Sequence, residues 1–157
     1  MIHKKNAFTM IELVFVIVVL GILAAVAIPR LSATRTDAQI SKGRADISSI
    51  RSGIMTERQS RLITGNNAFI SGIVLNAGTG LFGGVLTYAL SDSATAGHWT
   101  STGNDAVGTA TYNYNVAGTT VGFTYYQNET TVDGVVNRAG TFVCTSPTAA
   151  FCDELTN

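Results

Sequence analysis

A single carboxylate, Glu12, stands inside an otherwise apolar run, and that placement is the strongest chemical signal in the 157 residues. The run opens at Phe8, directly behind Lys4-Lys5-Asn6-Ala7, and continues without another ionisable side chain to Pro29-Arg30. A helix needs roughly 20 residues to cross a bilayer, and this stretch is long enough. An acid near the end of such a segment is costly in hydrocarbon and marks a functional position. Lys4 and Lys5 precede the segment, so the positive-inside rule predicts a cytoplasmic N-terminus with everything after Arg30 on the far side. Two plainer readings compete. A secretory signal peptide would use Ala25-Val26-Ala27 as its small-residue cleavage site. An ordinary anchor would carry the glutamate incidentally, snorkelling to the interface. Neither accounts for an acid within one turn of Phe8, right after a short basic leader.

The segment Ala7-Phe8-Thr9-Met10-Ile11-Glu12-Leu13, followed by the apolar helix and Pro29, resembles the class III signal of type IV pilins and type II secretion pseudopilins. The resemblance covers about residues 4 to 35. It implies a prepilin peptidase cutting between Ala7 and Phe8, N-methylation of the freed Phe8 amine, and Glu12 as the acid used in assembly. One departure from the pattern is that Ala7 stands where glycine is usual. The implied protein is a structural subunit rather than an enzyme, with no cofactor and no metal. Its implied partners are copies of itself, other pilin-like subunits, the peptidase, an inner-membrane assembly platform and membrane lipid. Nucleic acid would join them only in a DNA-uptake machine. A pilus and a secretion or competence pseudopilus remain open, and so does a membrane-tethered periplasmic binding module with no filament role. The physical logic of the assembly acid is clear. A glutamate in an apolar filament core finds its counter-charge in a neighbouring subunit's Phe8 amine, which fixes axial register more than it adds net stability.

The other candidate chemistry is thin. Cys144 and Cys152 lie outside the membrane in this topology and are expected to form a disulfide in an oxidising compartment. A zinc site is the weaker reading, because His3 and His98 are not spaced for it. Gly78-Thr79-Gly80-Leu81-Phe82-Gly83 matches G-x-G-x-x-G but lacks the preceding strand and following helix of a dinucleotide site, so it reads as a loop. His98 with nearby serines and Asp105 is weak evidence for a hydrolase triad. Tyr112, Tyr114, Phe123 and Tyr125 can stack nucleobases, but at strand spacing they read as core and cross-strand pairs. Asp92, Asn104, Asp105 and Asp133 offer oxygens without a calcium-loop spacing. Asn128-Glu129-Thr130 is a glycosylation sequon by pattern.

The elements that must carry these residues follow from periodicity. Ile40, Gly43, Ile47, Ile50 and Ile54 recur at spacings of three and four, an amphipathic helical stripe. No proline falls between Arg30 and Ile63, so one long helix is predicted from Phe8 to about Ile63, with Gly21 and Pro29 as places where it can kink. Thr64-Gly65-Asn66-Asn67 stops it. A mixed glycine-rich loop follows to Gly84, then strands at Val85–Leu90, His98–Ser101, Thr109–Val116, Thr119–Tyr126 and Gly140–Thr145, with Ala117-Gly118 as a hairpin turn. The predicted organisation is a leader at 1–7, a membrane and filament-core helix at 8–29, an amphipathic stem at 30–63 and a β head at 64–157. The fold class is α+β and pilin-like, with the apolar face of a small antiparallel sheet laid on Ile47, Ile50 and Ile54. Charge divides along the chain. Residues 30–63 hold seven basic and three acidic side chains, 7 − 3 = +4, and residues 64–157 hold one and six, 1 − 6 = −5. The basic stem reads either as attraction between stem and head of stacked subunits, with Arg30 and Arg35 drawn to anionic lipid, or, the plainer reading for any single residue, as an ordinary solvated helix face.

Overall fold

The structure is a computed structural model that describes residues 8–104, 108–145 and 150–157. Helix α1 spans Met10–Ile63 and the short α2 Gly72–Leu75. Six strands follow: β1 Trp99–Asn104, β2 Thr109–Val116, β3 Thr119–Tyr126, β4 Thr130–Val132, β5 Val135–Asn137 and β6 Thr141–Cys144. Helix α3, Cys152–Thr156, closes the chain. A long helix on a small antiparallel sheet is the α+β, pilin-like layout expected. The chain divides into two compact units, Met1–Asp37 and Ala38–Asn157, so the second half of α1 belongs to the same unit as the sheet.

In the first unit the helix is rich in Val and Ile, which are mediocre helix formers in water. Hydrocarbon changes that balance, because every backbone N–H and C=O must then be satisfied within the segment, and the α-helix does so. The helix runs through Gly21 and Pro29 without a break.

In the second unit the main sheet has the order β1-β2-β3-β6, all pairs antiparallel. The turn between β2 and β3 is Ala117-Gly118, both at positive φ (51° and 84°), the two-residue geometry whose twist matches the flanking strands. Along β2, half-buried and buried residues alternate, which puts Tyr112, Tyr114 and Val116 on the inner face. Val121, Phe123 and Tyr125 of β3 join them. Against this face α1 lays Ile47, Ile50 and Ile54, each at most 1% exposed. Gly43 completes the stripe for a steric reason. A Cβ there would stand 2.6 Å from both Leu155 Cδ2 and Tyr114 Cε1, so its absence lets the ring lie on the helix. Phe82, Trp99, Phe123 and Phe142 fill the middle with ring-to-ring contacts, Phe123 and Phe142 stacked at 5.4 Å. The buried tyrosine hydroxyls are engaged. Tyr112 donates to Asn76 Oδ1 (3.0 Å), Tyr114 to the Gln39 carbonyl (2.7 Å) and Tyr125 to the Ile70 carbonyl (2.8 Å).

The strand predicted at Val85–Leu90 does not form. The Val85 and Leu86 N–H groups both donate to the Phe82 carbonyl, and Gly84 N–H donates to Leu75 C=O, so turn bonds take the donors a ladder would need. Only an isolated bridge, Leu81 to Leu90, remains there. Three features were not predicted. The first strand runs on from Ser101 to Asn104 with a bulge between Ser101 and Gly103. A separate two-stranded hairpin, β4–β5, turns at Asp133-Gly134, and α3 packs Leu155 into the core.

Candidate functional site

Helix α1 begins where the sequence places its chemistry. Thr9 caps it: the Glu12 N–H donates to Thr9 Oγ1 at 3.3 Å, and the Leu13 N–H to the Thr9 carbonyl at 3.2 Å. The first satisfies one of the donors that a helix start leaves open, and the second begins the helical ladder. Thr9-Met10-Ile11-Glu12 has the T-x-x-E spacing of a capping box. Sequence reasoning passed over Thr9, although that spacing was the signal for it. The cap sets Glu12 in the first turn, where the helix macrodipole favours a negative charge. Its side chain is exposed, and among the described residues it has no ion-pair partner.

Around Glu12 the helix is apolar on all sides. Phe8 is 75% exposed, and no large apolar side chain from Met10 to Ile28 is buried. By length and composition α1 can cross a membrane. A surface this apolar on every face does not remain in water. Its stable environments are lipid or the apolar flanks of other helices. Glu12 and the Phe8 end are therefore brought together on one turn, with an apolar cylinder behind them. Ala7, Lys4 and Lys5 lie outside the described residues. Gly21 stands in open space: a methyl group added to its Cα would meet no described atom within 4 Å.

In the second unit the basic residues of α1 have definite tasks. Lys42 pairs with Asp46 at 3.2 Å and donates to the Gly97 carbonyl at 2.7 Å. Arg51 donates to the Phe142 carbonyl at 3.1 Å, Arg44 to that of Glu154 and Arg58 to that of Asn67. Arg58 also lies over the Phe69 ring, 4.4 Å from its centroid. Arg61 pairs with Glu57 at 3.0 Å. The positive stem thus anchors its own head. Arg30 and Arg35 are exposed and, among the described residues, have no ion-pair partner.

Cys144 and Cys152 form a disulfide, with Cα atoms 6.2 Å apart, that ties β6 to α3. The G-x-G-x-x-G segment is a turn with Gly78, Gly80 and Phe82 at positive φ, and Phe82 is a core side chain. It opens no helix and has no strand before it. Asp105, and with it the triad reading around His98, lies outside the described residues. Among the described residues no cluster of three metal-ligating side chains occurs.

An α+β head on a long helix, with a capped acid one turn into an apolar N-terminal segment, defines a class: a protein whose single N-terminal helix is long and apolar enough to cross a membrane. Residues 2–28 match the model of the prokaryotic N-terminal methylation motif, the class III signal peptide of type IV pilins. Neither a curated protein nor a solved structure shows significant similarity to the chain.

Proposed function

We propose that this chain is a structural subunit of a type IV filament, a small pilin or a pseudopilin of a secretion-like system. In this reading the peptidase cuts between Ala7 and Phe8 and methylates the new amine. The subunit waits in the inner membrane as a single-pass protein, N-terminus cytoplasmic and head periplasmic. It then polymerises with copies of itself or other pilin-like subunits on a membrane platform. Residues 8–29 form the filament core, 30–63 the stem and 64–157 the head, with Gly21 and Pro29 as the places where the helix can kink. The observation that carries the proposal is the exposed Glu12, without an ion-pair partner among the described residues, one turn from Phe8 on a helix segment with no polar face. In an apolar assembly that carboxylate needs a cation, and the freed Phe8 amine of a neighbour supplies one at matching depth.

The test is Glu12→Gln in the native host. The substitution keeps shape and hydrogen bonding and removes the charge. N-terminal mass mapping should show a chain beginning at methylated Phe8, correctly inserted, since losing a charge eases insertion. Sheared or detergent-extracted material should contain few or no filaments. Normal filaments from this variant refute the assembly role and leave a tethered head. A mature start after Ala27 refutes the processing reading.

A further inference from the structure

We propose that the outer face of the main sheet holds a binding site for a neutral saccharide unit, built around His98 and Asn113. The proposal stands on the second unit alone and does not depend on the filament reading.

The face opposite the aromatic core is formed by alternate residues of β1, β2 and β3. Strand pairing arranges them in two rows. In the first, Asn115 N–H donates to the His98 carbonyl and Asn115 pairs with Thr120. In the second, Thr100 pairs with Asn113, and Asn113 with Gly122. Gly122 contributes no side chain to the second row. The wall is the Ser93-Ala94 segment, held down by the Asn115 amide donating to the Ala94 carbonyl at 3.0 Å and by Ser93 N–H donating to Trp99 C=O at 2.9 Å. The result is a recess of about 190 Å³.

Its chemistry is specific. Asn115 is committed to the wall and to the Gly118 N–H. The side chains of His98, Thr100 and Asn113 are half-buried and, among the described residues, hydrogen-bond to no protein group. Partly buried polar groups of this kind are satisfied by water or by a ligand. Together they offer one amide donor and acceptor, one hydroxyl and one imidazole, converging on a space of hexose size. The lining residues Ser93, Ala94, His98, Thr100, Asn113, Asn115 and Thr120 include no carboxylate, ammonium or guanidinium. A phosphate or carboxylate ligand would meet no counter-charge, and a divalent cation would find one imidazole and no anionic oxygen. A floor of amides and hydroxyls does not favour an apolar ligand. Vicinal hydroxyls, each both donor and acceptor, match it. No aromatic ring lines the recess for stacking, so the dissociation constant expected for one sugar unit is on the order of 1 mM.

Saturation-transfer NMR on the full chain in detergent, with glucose, galactose and N-acetylglucosamine as separate probes, tests the site. Transfer to at least one sugar at millimolar concentration is expected, with a shift of the His98 ring signals. Asn113→Leu should weaken binding about tenfold, the usual scale for losing paired neutral hydrogen bonds. Thr100→Val, which keeps shape, should weaken it several-fold while the near-UV circular dichroism stays unchanged. No transfer to any of the three sugars at tens of millimolar overturns the proposal. So does equal transfer in Thr100→Val and the parent, and so does a His98 response to inorganic phosphate without one to sugar.

Discussion

Replacing Ile50 by Ala is expected to unfold the head at markedly milder conditions. Ile50 is fully buried at the centre of the helix stripe, flanked by Ile47 and Ile54 and facing the aromatic inner surface of the sheet. The change deletes three carbons, worth about 2.4 kcal/mol at about 0.8 kcal/mol per buried methylene. Rigid neighbours such as Phe82, Trp99 and Phe142 will not close the space fully, so a cavity contribution adds to this. The expected loss is about 3–4 kcal/mol, within the usual range for Ile→Ala. For a unit of this size that corresponds to a fall in Tm of roughly 12–16 °C. The assay is urea or thermal unfolding of the full chain in detergent, followed by fluorescence. Trp99 is the sole tryptophan and is 1% exposed, so its emission reports the head core. Met55→Ala on the same helix, at a side chain 52% exposed, is the control and should cost less than about 1 kcal/mol. A loss below about 0.5 kcal/mol for Ile50→Ala would mean that the stripe does not carry the head.

Other perturbations follow from the same geometry. Asp46 accepts from Trp99 Nε1 at 3.0 Å and from Lys42, so Asp46→Ala leaves a buried indole N–H unpaired. It should cost about 1–3 kcal/mol and shift the Trp99 emission, and an unshifted spectrum would contradict the contact. Reducing Cys144–Cys152, which are eight positions apart, should cost about 2–3 kcal/mol by the chain-entropy account and lower the urea midpoint without extracting the helix from detergent. Burial, reinforced by nearby Asp46, pushes the Tyr114 hydroxyl up to about 12 from an ordinary 10, and burial moves Tyr112 and Tyr125 in the same direction. The neutral phenol is therefore favoured in the folded state. The stability this contributes is complete below pH 10 and is lost as pH rises from 10 through about 12. Tyr114→Phe should flatten that alkaline fall, and an identical pH profile would refute the assignment.

The parts legible in the sequence were those with a repeated period. The isoleucine stripe and the Thr109–Val116 and Thr119–Tyr126 pair emerge with their inner faces as expected, because each alternation is long enough to average out local exceptions. Val85–Leu90 has strand-like composition, but its donors are consumed by turns set by Gly83 and Gly84, whose missing side chains let the Ala77 and Val74 carbonyls close in. That is a tertiary effect with no local signature. The β4–β5 hairpin did have one, Asp133-Gly134, but its arms are three residues each and show no usable period. At the N-terminus Glu12 was legible from its isolation among apolar residues. Its cap, Thr9, needed attention to spacing rather than to hydropathy. The recess at His98 was not legible at all, since it depends on which residues of three strands stand side by side.

The attachments between the helix and the head have one consequence for how this chain can vary. Lys42, Arg44, Arg51 and Arg58 all donate to main-chain carbonyls, those of Gly97, Glu154, Phe142 and Asn67. Tyr114 reaches the other way, donating to the Gln39 carbonyl. A carbonyl is supplied by any amino acid, so these clamps read the path of the backbone and ignore the letters written along it. Loop positions can then drift freely while the scaffold stays docked. Selection is left to act on the aromatic interior, whose shape any well-packed set can satisfy. A head held in this way can keep its docking to the helix while the side chains along its loops change.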